Sequence, residues 1–286
     1  MSEGKFLGSI YSRITDPGFY HRYTEKVLSL LNRTFFRGSA PPMTVSGFRM
    51  SAHSFDRYLA LWSWRFDFKE SYKIRLLRQY CQPGSAALDI GANIGYFSLL
   101  LSSFAAGRGH VWAFEPAPDN FAMLLKNIKA NRRGNITPVR AAVGAKTGQQ
   151  FLYLSSAHSG DHRVYQPREG PRPAVPVDFV ALDDYFSSNR RIDLIKMDIQ
   201  GAEGLALKGM PRILSQSPRP IILMECWPHG LQGAGSKVTD VLFQLSRRGY
   251  RLHWLDESRS TLMPVALEPA FDRFVRRKQY VTIFAR

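Results

Sequence analysis

Four carboxylates at the ends of four apolar runs carry the first chemical signal in this chain. Asp89 lies in AALDI (86–90), Glu115 directly follows HVWAF (110–114), Asp198 stands near the end of IDLIKMDI (192–199), and Glu225 near the end of PIILMEC (220–226). Each run is short and apolar enough for a strand buried in a sheet. Open parallel sheets bind ligands beyond the carboxyl ends of their strands, so the four acids are expected to face one crevice. An unpaired buried acid is costly, and as a set these acids point to ligand contacts more than to packing.

The turn after the first run sharpens that expectation. Gly91 and Gly95 let backbone pass close to a ligand before a helix opens at Tyr96. Asn93 tolerates left-handed backbone angles better than most residues. Glu115 falls twenty residues after Gly95, the interval at which a nucleotide-binding βαβ unit sets a carboxylate against a ribose diol. A dinucleotide fingerprint would need glycine where Asn93 and Tyr96 stand, which disfavours a pyrophosphate. The D-x-G-x-N-x-G pattern instead resembles the first motif of class I S-adenosylmethionine-dependent methyltransferases. There an acid and the turn backbone hold the amino acid end of the cofactor.

Two further stretches suggest an acceptor pocket. Residues 155–172 are polar, carry Gly and Pro, and are too long for a plain connector. Within them, Asp161, His162 and Arg163 set a carboxylate, an imidazole and a guanidinium side by side. His162 is either a proton acceptor for a reacting alcohol or a solvent-facing histidine held by Asp161. Trp227 and His229 follow Glu225 directly, and a tryptophan beside a polar cleft offers a flat apolar face to a sugar or aromatic ring.

The elements that position these groups follow from the rest of the chain. At 286 residues and 44% apolar composition the sequence supports a large α/β core. Helices are expected over 118–131 and 236–248, and strands over 136–143, 150–154, 175–182, 250–255 and 280–284. Residues 1–80 differ in character. An amphipathic basic helix is expected at 16–31, a break at 38–42, an aromatic stretch at 55–68 and a basic helix at 70–80. This segment reads as an N-terminal helical cap over one end of the sheet, with residues 81–286 forming the catalytic domain. Two cysteines make no disulfide framework and no Cys/His spacing suggests zinc. Without a signal-peptide pattern or a membrane-spanning run, the protein is expected to be cytoplasmic, with peripheral membrane contact open to the 16–31 helix. The net charge of +16 raises affinity for polyanions, but it is dispersed in pairs such as Arg132-Arg133 and Arg247-Arg248.

Four ordered motifs, LDIGANIGYFS, AFEP, IDLIKMDIQGAE and IILMECWPHGL, resemble those of the FkbM family of methyltransferases over about residues 80–255. Gln200 departs from the glutamate more usual before Gly201. The resemblance implies a Rossmann-like class I methyltransferase sheet of seven strands, the last antiparallel. It implies that Asp89, Gly91, Ala92, Asn93 and Gly95 cradle the methionine end of S-adenosylmethionine, that Glu115 holds the ribose, that Ala142 lies near the adenine, and that Asp198 lies beside the methyl group. It also implies O-methylation of a hydroxyl on a sugar, glycolipid or secondary metabolite, so the expected partner is a small-molecule or glycan alcohol. His162, Asp198 and Glu225 are then the candidate catalytic groups, and Asp161, Arg163, Trp227 and His229 the candidate acceptor contacts. In a variant resembling catechol O-methyltransferases, Asp198 and Glu225 would hold magnesium. The alternatives are a nucleic-acid methyltransferase, against which the missing N/D-P-P-Y/F motif counts, and a non-catalytic binding module on the same fold.

Overall fold

The computed structural model describes residues 42–53, 71–156, 158–265 and 280–286. In chain order its elements are β1 (Met43–Val45), β2 (Phe48–Met50), α1 (Tyr72–Tyr80), β3 (Ala86–Ile90), α2 (Tyr96–Ala105), β4 (His110–Phe114), α3 (Pro118–Ala130), β5 (Ile136–Val139), β6 (Ala142–Val143), β7 (Gly148–Tyr153) and β8 (Ala174–Val180). There follow α4 (Leu182–Tyr185), β9 (Leu194–Met197), α5 (Glu203–Lys208), α6 (Pro211–Leu214), β10 (Ile221–Cys226), α7 (Pro228–Gly233), α8 (Val238–Ser246), β11 (Leu252–Asp256), β12 (Thr261–Pro264) and β13 (Val281–Ala285).

The main sheet runs in the order β12, β11, β13, β10, β9, β3, β4, β5. From β10 to β5 all pairings are parallel, while β13 lies antiparallel between β10 and β11. This is the expected Rossmann-like sheet with its last strand reversed, extended by β12 at the edge. All four residues of β9 are buried, as are four of the five in β3. Such unbroken burial is what strands covered by helices on both faces require. One face is filled from α5, α6 and α8 by Leu207, Ile213 and Leu242. The other is filled by Leu77 of α1, Leu99 and Leu101 of α2, and Leu124 of α3.

The strand expected over 136–143 is two strands. The Ala141 amide folds back onto the Val139 carbonyl at 3.0 Å, a bond across two residues that closes a tight γ-type turn. β5 therefore ends the main sheet, and β6 joins β8 and β7 in a separate three-stranded sheet. The turn carries Ala141 and Ala142 over the end of β4.

Of the N-terminal segment, the β1–β2 hairpin and α1 are described. Val45, Phe48, Met50, Ile74 and Leu77 share one core with α2 and α3, so these parts pack directly against the helices on that face of the main sheet. The helix expected at 16–31 and the aromatic stretch at 55–68 lie outside the described residues. Among the described residues no helix is long and apolar enough to cross a membrane.

The chain leaves β3 toward β4 on one side and reaches β9 on the other, so the order of the sheet reverses at the β3–β9 pair. A crevice opens at such a reversal, beyond the strand ends.

Candidate active site

The β3–α2 turn is built on left-handed backbone. Gly91, Asn93 and Gly95 have φ of 79°, 49° and 94°. A β-carbon at Gly91 would collide with the Asp198 carbonyl oxygen, and one at Gly95 would come within 2.6 Å of Leu124 Cδ1. Glycine is thus required at 91 by the neighbouring strand end and at 95 by a left-handed backbone angle that other residues rarely adopt. The amides of Gly91 and Ala92 both donate to the Phe114 carbonyl, at 3.0 and 2.9 Å, which pins the turn to the end of β4.

Glu115 stands where β4 ends and is 5% exposed. One carboxylate oxygen accepts the Asn93 amide at 2.8 Å; the other accepts the Ala117 amide at 3.0 Å and Asn120 Nδ2 at 3.4 Å. Burial pushes its carboxyl up to about 7, against the pull of these donors and of Lys196.

Gly91, Ala92, Asn93, Glu115 and Ala142 line one cavity of about 340 Å³, with His162 and Asp198 on its walls. The remaining predicted residues lie off this cavity. Gly95 sits beneath the turn against Leu124. Asp89 is fully buried: Oδ2 accepts Ser98 Oγ at 2.6 Å, and Oδ1 forms an ion pair with Lys196 Nζ at 3.1 Å.

Lys196 was not singled out by sequence, although a lysine inside the apolar run LIKM is itself a signal. Its Nζ donates to the Gly91 carbonyl at 3.1 Å and lies 4.9 Å from the centre of the Phe97 ring. Burial alone would lower this ammonium, but Asp89, Asp198 and Glu225 hold it above its ordinary value, so it stays charged. It lines the cavity and offsets the acids around it.

Asp198 Oδ1 accepts Gln200 Nε2 at 2.9 Å, so the glutamine at this position orients the aspartate where a glutamate would repel it. The following turn wraps around Glu203, whose Oε1 accepts the Ile199 and Gly201 amides at 3.2 and 3.3 Å. Burial pushes the Glu203 carboxyl up to about 8. Glu225 meets Lys73 of α1 at 3.3 Å; burial and Asp198 raise its carboxyl, and Lys73 opposes them.

The magnesium variant does not fit this donor set. Glu225 already faces the Lys73 ammonium, Lys196 lies among the acids, and no three His, Cys, Asp or Glu side chains converge among the described residues.

In the 155–172 loop, His162 Nδ1 accepts the Ser155 amide at 3.0 Å. A backbone amide only donates, so in the neutral ring the proton is on Nε2. His158, a second loop histidine on the cavity wall that the sequence reading passed over, accepts the Gly160 amide at 2.9 Å in the same way.

Asp161, Arg163, Trp227 and His229 do come together, beside the cavity. Arg163 is 1% exposed and bridges Asp161 at 2.8 Å and Glu169 at 3.2 Å, while Arg172 also holds Asp161, at 2.7 Å. The Arg163 guanidinium lies 4.5 Å from the centre of the Trp227 ring, and Trp227 stacks on Tyr280. His229 Nε2 meets Glu169 at 2.9 Å. This knot fastens the loop to the ends of β10 and β13.

The cavity fits S-adenosylmethionine. Its turn side offers Asn93 Oδ1, a buried acceptor with no protein partner among the described residues, suited to a ligand hydroxyl or amino group. Glu115 adds a carboxylate where a nucleoside ribose is expected, and Ala141, Ala142 and Leu152 give an apolar wall.

A family model described as the methyltransferase FkbM domain matches residues 89–252. Among curated proteins, the hexuronic acid methyltransferase AglP of Haloferax volcanii is 29% identical over 144 residues, covering 49% of this chain and 56% of AglP. Methyltransferase sdnD of Sordaria araneosa is 24% identical over 176 residues, covering 51% of this chain and 68% of sdnD. The chain thus spans little more than half the length of AglP. Among solved structures, a methyltransferase FkbM from Methylobacillus flagellatus superposes with a TM-score of 0.47 at 19% identity, over 83% of this chain and 56% of that one.

Proposed function

The chain belongs to the FkbM methyltransferase family, and we propose that it uses S-adenosylmethionine to methylate a hydroxyl of a sugar, glycolipid or secondary metabolite. The observation that carries this reading is a single cavity bounded by the left-handed 91–95 turn and Glu115 on one side and by Asp198 and Lys196 on the other. The relative AglP is by its name a hexuronic acid methyltransferase, which favours a sugar among the acceptor classes.

Bound there, S-adenosylmethionine supplies an activated methyl group. Glu115 would accept its ribose hydroxyls, Asn93 and the turn backbone would hold its amino acid end, and Ala142 would flank its base. The enzyme's main task would be to hold the acceptor oxygen in line with that methyl group. An alcohol sheds its proton as it attacks. Asp198 receives that proton at Oδ2, because Oδ1 is held by Gln200 and the Nδ1 of His162 is taken by the Ser155 amide. Lys196 keeps the buried acids near charge balance.

Incubation with methyl-labelled S-adenosylmethionine and fractionated cell extracts tests this reading. The label should appear in a carbohydrate or small-molecule fraction, in an alkali-stable ether. Asp198→Asn should lower turnover about 100-fold or more with affinity for S-adenosylhomocysteine retained. Label in nucleic acid, or in no fraction, contradicts it.

A further inference from the structure

Helix α3 carries Asn120 and Asn127 and is capped at its C-terminus by Asn131, at spacings of seven and four that place all three on one side. Opposite that side runs an extended segment, residues 49–53, and its alternate residues meet the asparagines in antiparallel order. Asn131 Oδ1 accepts the Arg49 amide and Nδ2 donates to the Arg49 carbonyl, both at 2.8 Å. Asn127 does the same to Ser51, at 2.7 and 2.9 Å. Asn120 Oδ1 lies 3.0 Å from His53 Nε2. Each of the first two side-chain amides takes both backbone groups of one residue, as a neighbouring strand would.

Two of these asparagines, Asn127 and Asn120, also reach the walls of the cavity. Asn127 Nδ2 also donates to the Ile94 carbonyl in the 91–95 turn, at 2.8 Å. Asn120 Nδ2 donates to the Ser159 carbonyl at 2.9 Å and to Glu115 Oε1 at 3.4 Å. Asn127 is fully buried and Asn120 is 2% exposed, so neither amide can fall back on water if a partner leaves. Ala52, between Ser51 and His53, lines the cavity itself.

We infer that Asn120, Asn127 and Asn131 are positioning residues that make docking of the 49–53 segment and binding of the nucleoside cofactor mutually dependent. A ligand that fixes Glu115, the 91–95 turn and the 158–160 loop fixes the far ends of the Asn120 and Asn127 hydrogen bonds. That in turn holds the 49–53 segment, and release of the segment loosens the same groups. Coupling of this kind is reciprocal. Asn120 joins three walls of the cavity at one side chain: the end of β4, the 155–172 loop and the N-terminal segment.

This inference rests on the cofactor reading, and Asn131 separates the two, because it touches Arg49 and the Asn127 carbonyl but not the cavity. Hydrogen exchange of the full chain is followed at the Arg49 and Ser51 amides with and without S-adenosylhomocysteine, and its dissociation constant is measured for wild type, Asn131→Ala and Asn120→Ala. The ligand should slow exchange at both amides in wild type. Asn131→Ala should speed exchange at Arg49 and weaken the ligand about threefold, and Asn120→Ala should weaken it about tenfold. A merely structural tether would lower the melting temperature of Asn131→Ala and leave its affinity unchanged, which would overturn the inference while the cofactor reading stands. Exchange unaffected by bound ligand would overturn it as well. No binding to wild type would overturn both. If Asn120→Ala does not fold, the Asn131→Ala comparison decides.

Discussion

Glu115 sits among the amides of Asn93 and Ala117 and the side chain of Asn120, and burial still holds its carboxyl at about 7. Its ionised form accepts hydroxyl hydrogens; its protonated form has lost part of that capacity. The free protein therefore carries the better acceptor above about pH 7, and affinity for S-adenosylhomocysteine should fall as pH drops through that value, by up to tenfold per unit. Glu115→Gln should bind weakly at every pH between 6 and 8, with no slope; a flat wild-type profile would refute the assignment. Folding has its own sign. An acid raised from 4.5 to about 7 in the fold stabilises least once ionised, so its contribution declines as pH rises across that window. At this scale the sequence was legible in part: of the four strand-end acids expected to face one crevice, Glu115 and Asp198 line the cavity together with Asn93, whereas Asp89 and Glu225 lie off it, paired with Lys196 and Lys73. Lys196 and His158 were not legible, because their roles depend on which strands and loops become neighbours.

At the scale of elements, the 91–95 turn is where local chemistry and packing agree. Three positive φ values fall on Gly91, Asn93 and Gly95, the residue types that accept them. Gly91→Ala adds a β-carbon to left-handed backbone and drives it into the Asp198 carbonyl. It should cost about 1–3 kcal/mol from backbone strain alone and abolish cofactor binding, whereas Gly134→Ala, with open space around it, should leave urea midpoint and affinity as in wild type. Equal behaviour of the two variants would contradict a tight turn. Strands and helices here follow hydrophobic runs closely. One exception is 136–143, read as one strand although Pro138 and Arg140 interrupt it: a γ-type turn at Ala141 carries the chain from the edge of one sheet into another. Side-chain pairing to backbone, as by Asn127 and Asn131, is silent in sequence, because asparagine inside a helix suggests only a weak helix former.

Across the whole molecule, distant segments converge on the cavity rim. The hairpin and α1 share a core with α2 and α3, Lys73 of α1 meets Glu225 of β10, and Arg163 ties the 155–172 loop to Trp227 and, through it, to Tyr280. Arg163→Met removes the guanidinium from two partly exposed acids, Asp161 and Glu169. A loss of about 2 kcal/mol is expected, reduced from the cost of breaking a fully buried pair by that exposure; an unchanged denaturation midpoint would show the knot to be dispensable. The sequence placed these charged and aromatic residues near an acceptor, and the fold sets them beside the cavity, holding the loop that walls it. The central claim, that this cavity is a nucleoside-cofactor site, is tested most directly by calorimetric titration of the full chain with S-adenosylmethionine. One site per chain is predicted, with binding lost in Gly91→Ala and weakened at least tenfold in Glu115→Ala; absence of binding to the wild-type chain, or undiminished binding to both variants, would contradict it.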